Sequence, residues 1–325
     1  MAMSVLSYMF GGGMEVVTQF FTKHKAFEEF PNCEGQVAII TGGNRGIGLE
    51  TVKGLCKANV RVIIACRDGK SAGEAIDKVK EEFPSSKVEF MELDLGSLDS
   101  VRKFAKSFSS KNLPLHILIN NAGIMLPPYG KTKDGFELQF GINHLGHFVL
   151  TNMLLDALIR SASKEKYSRI LTLSSGLHLQ GTMNFDDLNS EKYYSAFAAY
   201  NQSKLANVLF TYELNRRLKE KDSPVTANAV HPGVANTELF QGLPWFLRIP
   251  QNSLASLLFK TPSQGADNSL YVALSPELEG VGGRYFVNSS PSKSNDESYQ
   301  EDFQKRLWKI SCELTGVPYE ACPEE

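Results

Sequence analysis

Eight residues, Thr41-Gly42-Gly43-Asn44-Arg45-Gly46-Ile47-Gly48, stand between a β-branched run at 37–40 and a helical pattern at 47–57. Strand, glycine-rich turn and helix in direct succession leave the backbone few routes. Gly42 permits a tight turn, Gly46 permits close approach of backbone to a phosphate, and Gly48 lets helix pack near strand. The helix N-terminus then faces an anion with its unpaired amides. This start points to a dinucleotide-binding α/β chain, with Thr41, Gly42, Asn44, Arg45, Gly46, Ile47 and Gly48 as candidate cofactor residues.

The alternation continues along the chain. Short apolar runs at 61–65, 88–93, 116–119, 169–173, 225–230 and 285–287 alternate with helical patterns at 70–83, 135–159, 197–218 and 265–274. Short, uniformly apolar strands are buried on both faces, which argues for a parallel sheet between helical layers. The fold class is α/β. A chain of 325 residues, 42% of them hydrophobic, can bury such a core. Residues 1–33 read as an N-terminal arm, 34–316 as one Rossmann-type domain and 317–325 as a tail. An insertion at about 237–260, rich in Leu, Phe, Trp245 and Pro, is too apolar for a solvated loop and reads as a lid. Segment 289–301 is polar and reads as exposed.

The formal charge of −2 gives no electrostatic reason to expect nucleic-acid binding. Cys33, Cys56, Cys66, Cys312 and Cys322 are odd in number and lack metal-like spacing, so a reduced, cytosol-facing domain is expected. Residues 1–14 carry no charged side chain, but Gly11, Gly12 and Gly13 interrupt them. That falls short of the ~20 apolar residues of a bilayer span. No basic residue precedes the apolar part, unlike a signal peptide. A membrane-surface anchor and a packed or disordered arm both fit.

The end of the second strand bears on the cofactor. A site selective for NAD wants a carboxylate there to accept from the ribose 2′-hydroxyl. The chain reads Ala65-Cys66-Arg67, with no carboxylate before Asp68. Arg67 and Arg45 can converge on a 2′-phosphate, so NADP(H) is expected over NAD(H). Asp94-Leu95 ends the third strand, where a side chain can meet adenine. Asn120-Asn121-Ala122-Gly123 ends the fourth, where small residues admit the cofactor's sugars.

Tyr200 and Lys204 are four residues apart in the long helical pattern, about 40° apart around the axis. A phenol titrates near ~10 and is a poor acid or base at neutral pH. A fixed cation beside it favours phenolate and brings that value toward the working range. Alone, such a pair is usually ordinary helix surface.

The glycine turn, Asp94, Asn120–Gly123, Asn143, Ser174-Ser175, Tyr200-Asn201-Gln202-Ser203-Lys204 and Pro232-Gly233-Val234-Ala235-Asn236-Thr237 occur in one order. Together they resemble the short-chain dehydrogenase/reductase superfamily. His144-Leu145-Gly146-His147-Phe148, Ser203-Lys204-Leu205-Ala206-Asn207 and Val230-His231-Pro232-Gly233 are similar to its retinol dehydrogenase branch. The resemblance implies one doubly wound domain with a seven-stranded, mainly parallel sheet in the order 3-2-1-4-5-6-7. It implies Tyr200 as general acid or base, and Lys204 lowering its pKa and holding the nicotinamide ribose. Ser175 would bind the substrate oxygen, and Asn143 would complete a water-mediated proton relay to Lys204. Pro232, Gly233 and Thr237 would hold the cofactor's far end.

His144 and His147 invite a metal reading, but no carboxylate or cysteine stands at zinc-like spacing, and no metal is expected. The apolar lid suits a long hydrophobic alcohol or aldehyde delivered from a membrane. The resemblance implies a retinoid or polyprenoid substrate, and a cytosol-facing place on the endoplasmic reticulum membrane, with the cytoplasm as alternative. Monomer and homodimer stay open. An NADP-binding regulatory or scaffold protein without turnover is the other class; the Asn143, Ser175, Tyr200 and Lys204 set argues against it.

Overall fold

β1 (Val37–Thr41) is buried along its whole length and runs into the glycine turn and α1 (Gly46–Lys57). The computed structural model describes residues 24–233 and 260–318. Most of the N-terminal arm, Thr237, nearly all of the lid and Cys322 lie outside the described residues. In chain order there follow β2 (Arg61–Cys66), α2 (Gly69–Glu82), β3 (Val88–Glu92), α3 (Leu98–Ser110) and β4 (Ile117–Asn120). Then come α4 (Gly146–Arg160), β5 (Ser168–Leu173), α5 (Ala196–Glu220), β6 (Val225–His231), α6 (Pro262–Leu274), β7 (Tyr285–Val287), β8 (Ser290–Ser292) and α7 (Glu301–Thr315).

The strands form one sheet in the order β3-β2-β1-β4-β5-β6-β7-β8. Every pairing through β7 is parallel; β8 alone returns antiparallel. Strand residues alternate between faces. Ile39, Ile63, Leu118 and Ile170 pack with α3, α4, α5 and α7, while Ile40, Ile64, Ile119 and Leu171 pack with α1, α2 and α6. The order reverses between β1 and β4, so the crevice for a ligand opens at the carboxyl ends of those strands.

Local chemistry sets the helix boundaries. The Asp68 side chain accepts from Lys70 N and Ser71 N to open α2, and Thr261 with Gln264 forms a capping box for α6 behind Pro262. α1 meets α6 through Gly54, where a Cβ would lie 2.4 Å from Leu270 Cδ1.

Three expectations change. The helical pattern at 135–159 is interrupted: one turn at Leu138–Phe140 passes through a π-helical turn, Gly141–Leu145, before α4 begins. The seven expected strands gain an eighth, because Asn288 (φ 49°) and Ser289 (φ 59°) turn left-handed in succession and close a two-residue hairpin. Segment 289–301 is not uniformly exposed: Ser289, Ser294 and Ser298 are buried. The pattern reading also leaves α3 and α7 unassigned.

α5 carries a largely buried charge cluster that packs on α7. Glu213, wholly buried, accepts from Arg217 Nε at 2.6 Å and from Arg216 Nε at 2.9 Å. Arg217 lies over the Trp308 ring at 4.6 Å, and Trp308 packs on Phe148 and Phe210. Removing one member of a buried pair strands the other charge. Glu213→Ala is expected to lose about 3–5 kcal/mol of stability in urea titration. A loss below about 1 kcal/mol would show that the cluster behaves as a solvated surface pair.

Candidate active site

The glycine turn is built by close approach. A Cβ on Gly48 would lie 2.2 Å from Gly42 O and 2.7 Å from Asn121 Nδ2, so α1 seats directly on the end of β1. Gly42 (φ 66°) and Gly46 (φ 54°) both take left-handed backbone. No side chain caps the start of α1, and its first turn carries no acidic residue. That cradle and its outward amides fit the pyrophosphate of a dinucleotide.

Thr41 fastens β1 to β4. Its buried hydroxyl oxygen accepts from Asn121 N and Ala122 N, both at 2.9 Å, and lies 2.9 Å from His147 Nε2. Asn121 Nδ2 donates to Thr41 O at 2.7 Å. Thr41 and Asn121 therefore shape the crevice, while Ala122 and Gly123 leave its floor open.

Around the end of β2, Arg45 and Arg67 are both exposed and both bear electrostatically on Cys66; burial raises that thiol's pKa and the two arginines oppose the rise. Asn44 Nδ2 donates to Ser71 Oγ at 2.8 Å, which brings a hydroxyl beside the turn. The nearest carboxylate, Asp68, is engaged as the α2 cap. At the end of β3, Asp94 accepts from Gly96 N at 3.0 Å and pairs with Lys133 at 3.0 Å. Leu95 is buried, with its carbonyl against Gly146. Pro232 and Gly233 (φ 86°) follow β6 and are half-buried.

The second cluster sits where α5 crosses the ends of β4 and β5. Lys204 is 5% exposed, yet its Nζ is on the crevice side, 3.1 Å from Leu173 O. Burial pushes its pKa down from an ordinary 10.5 to about 8. Nζ lies 5.8 Å from the ring centroid of Tyr200, which is itself buried. A Cβ on Gly123 would lie 3.2 Å from Asn143 Oδ1 and 3.4 Å from Lys204 Nζ, so Asn143 and Lys204 flank that glycine. Asn143 stands in the π-helical turn rather than in regular helix. Its amide is fully used: Oδ1 accepts from Ile124 N at 2.9 Å, and Nδ2 donates to Ile124 O and Ser203 Oγ, each at 3.0 Å.

The two serines divide. Ser174 is buried and donates to Lys204 O at 2.8 Å, whereas Ser175 is half-buried and opens a 3₁₀ turn, Gly176–Gln180. That turn is held from the far end of the chain. Asn295 Nδ2 donates to the carbonyls of His178, Leu179 and Gly181, and Asn295 N donates to His178 Nε2 at 3.2 Å. His178 Nδ1 then donates to Ser175 O at 2.6 Å, and Gly176 N donates to His231 Nδ1 at 3.2 Å. His178 and Asn295 escape a sequence reading because neither is near Ser175 in any periodic pattern. His144 and His147 point apart: His144 Nε2 meets Ser311 Oγ of α7 at 3.0 Å, and His147 meets Thr41. Asn201 is buried, so the Asn201-Gln202-Ser203 sequon offers no accessible acceptor.

A doubly wound sheet with this turn at its reversal, and a buried lysine close to a tyrosine and an asparagine beside it, fits a dinucleotide-binding oxidoreductase class. The short chain dehydrogenase family pattern matches residues 36–244. The chain belongs to the short-chain dehydrogenase/reductase family, whose members work with nicotinamide dinucleotides. It is similar to human polyprenol dehydrogenase, with 50% identity over 288 residues, 89% of this chain and 87% of that protein. Mouse retinol dehydrogenase 12 is 44% identical over 286 residues, 88% of each chain. The crystal structure of an uncharacterised protein from Mycobacterium paratuberculosis superposes with a TM-score of 0.74 at 35% identity, covering 91% of this chain and 99% of that one.

Lys204 makes a stability prediction. Between pH 8 and the ordinary value of 10.5, the unfolded chain holds a proton that the folded chain has shed. Stability attributable to this group therefore rises with pH across that window, and below it the cost of the buried charge is fully present. Lys204→Met keeps the stem, and Leu173 O retains Asn207 Nδ2 at 3.0 Å. The cofactor-free variant is expected to be more stable than the parent at neutral pH, by about 1–3 kcal/mol. The gain should shrink above pH 8 in thermal melts. A variant less stable at neutral pH would show that the ammonium is a net support.

Proposed function

We propose that this chain transfers hydride between NADP(H) and a long apolar alcohol or its carbonyl partner, of polyprenoid or retinoid type. The observation that carries the chemistry is the buried Lys204 ammonium between Tyr200 and Gly123. The names of the similar proteins, polyprenol and retinol dehydrogenases, support the substrate class.

The nicotinamide, when bound, supplies or takes the hydride. Tyr200 Oη gives its proton to the carbonyl oxygen in reduction and takes a proton from the alcohol in oxidation. Lys204 is the fixed cation that favours the phenolate. Ser175 Oγ binds the substrate oxygen and stabilises the charge that develops there. Asn143, rigid through Ile124 and Ser203, sets the wall of the crevice opposite Lys204 and serves the proton relay. The glycine turn, with Thr41, Asn44 and Ile47, takes the pyrophosphate side, and Asp94, Leu95, Asn121, Ala122 and Gly123 take the adenosine and ribose side.

NADP(H) is favoured by Arg45 and Arg67 around the end of β2 and by the engagement of Asp68 elsewhere. Pro232 and Gly233 stand at the end of β6, where the nicotinamide end would lie, and the apolar sequence at 237–260 and Thr237 carry the expected lid and cofactor contact on sequence grounds. A substrate this apolar resides in a bilayer, which supports a cytosol-facing place at the endoplasmic reticulum membrane. Among the described residues no helix is long and apolar enough to cross a membrane.

The test is NADPH-dependent reduction of a panel of polyprenoid, retinoid and shorter aldehydes and ketones. Tyr200→Phe is expected to lower kcat at least about 100-fold, while NADPH binding by cofactor fluorescence stays within about threefold. Undiminished turnover in that variant would sink the mechanism. Arg67→Asp should raise the ratio of NADH to NADPH efficiency about tenfold or more. An unchanged ratio would mean that Arg67 does not meet the 2′-phosphate.

A further inference from the structure

His147 is wholly enclosed and has no part in the chemistry assigned above, yet both its ring nitrogens are engaged. Nδ1 lies 3.0 Å from Asn143 O, and Nε2 lies 2.9 Å from Thr41 Oγ1. A carbonyl cannot donate, so Nδ1 carries the hydrogen. In the neutral ring Nε2 is then a bare acceptor. The Thr41 hydroxyl already accepts from the amides of Asn121 and Ala122, so its own hydrogen goes to Nε2 at 2.9 Å in preference to the Ile119 carbonyl at 3.5 Å. Protonating Nε2 would leave that hydrogen only the longer bond. The hydrogen bonds therefore favour the neutral Nδ1–H tautomer.

The π-helical turn explains why a side chain is needed there. Main-chain bonds in that turn shift to the fifth residue, as Gly146 N to Gly141 O shows. The imidazole of His147 reaches back to the carbonyl four residues before it. Asn143 Nδ2 donates to Ser203 Oγ, and Ser203 Oγ donates to Tyr200 O at 2.8 Å. One hydrogen-bonded path thus joins Thr41, His147, Asn143, Ser203 and Tyr200, from the phosphate-binding turn to the helix that bears the phenol.

We propose that His147 is a positioning residue that fixes the register between the cofactor turn and the proton-transfer group, by holding Thr41 with one nitrogen and the Asn143 carbonyl with the other. The proposal rests on the functional reading above for its kinetic consequence, but not for its binding consequence. Thr41 and Asn143 touch the ring, and the Lys204 ammonium bears on it electrostatically, while the adjacent His144 imidazole turns away to Ser311. Burial pushes its pKa down to about 4, and the Lys204 ammonium further opposes a second proton on it.

Two conservative variants of the full chain separate the two ends. Asparagine keeps a donor near the Nδ1 position, as Asn152 donates to Phe148 O over the same spacing at 2.8 Å, and releases Thr41. Glutamine reaches toward Thr41 and releases the Asn143 carbonyl. His147→Asn should weaken NADPH binding about threefold or more, whereas His147→Gln should leave it within about twofold. Both should lower kcat for a long-chain aldehyde about tenfold or more, with its KM little changed. The acid limb of kcat, followed from about pH 6 to 9, should shift in His147→Gln more than in His147→Asn.

Variants that match the parent in both readouts, or that match each other in NADPH affinity, would overturn the proposal and leave His147 as packing. If the parent turns over no alcohol or carbonyl, the functional reading fails, and the difference in NADPH affinity still decides this one. Should both variants misfold, histidine nitrogen NMR of the parent remains decisive. A bare Nε2 and protonated Nδ1, unchanged from about pH 5.5 to 8, is expected. An Nε2–H tautomer, or titration in that range, would overturn it.

Discussion

Gly48 sits where no side chain fits, with Gly42 O and Asn121 Nδ2 both inside the volume a Cβ would take. That contact sets the distance between α1 and the end of β1. It aims the first amides of α1 into the crevice and leaves room for Asn121 to tie β4 to the turn. Had α1 been held further out, the gap between β1 and β4 would lack a floor, and Ala122 and Gly123 would open onto solvent. The other side of the crevice inherits the same origin, because Asn143 and Lys204 are placed against Gly123.

The second constraint is electrostatic. A lysine is one of the least comfortable groups to enclose, and the fold encloses one at the point where β5 gives way to the Ser175 turn. The carbonyl of Leu173 faces the ammonium, but among the described residues no carboxylate neutralises it. A full ion pair would spend the charge locally. An ammonium met by dipoles keeps its field available to the neighbouring phenol, so under the proposed mechanism the arrangement trades stability for reactivity.

Much of this was legible in the chain itself, and the reasons differ by residue. The strands through β7, the glycine turn and the Tyr200–Lys204 helix carry strong periodicity or steric necessity. Asn143 was identified through the resemblance, but its π-helical turn was not, since α and π windings of the same residues differ only in hydrogen-bond register. α7 buries Gln304, Leu307, Trp308, Ser311, Cys312 and Thr315, a face half polar, so a search for apolar residues alone passes over it. α3 is the opposite case: Leu98, Val101, Phe104, Ala105 and Phe108 at helical spacing behind the Ser97 cap were readable. The hairpin to β8 left only two polar turn residues as a signal. The linkage of Ser175 to Asn295 through His178 joins residues more than a hundred positions apart, beyond any local pattern. The lid and Thr237 rest on sequence alone.

That last linkage has a consequence for how the protein is made. Synthesis proceeds from the N-terminus, and strands β1 to β6 with their helices can assemble while the segment carrying Asn295 is still within the ribosome. At that stage the dinucleotide cradle has all its residues, but the turn after Ser175 lacks the side chain that gathers its carbonyls. On the roles proposed for these residues, a nascent chain would hold a nucleotide before it could orient a substrate. The order of emergence separates the two halves of the site in time, and a bound cofactor is available to brace the sheet while the final segment wraps into place.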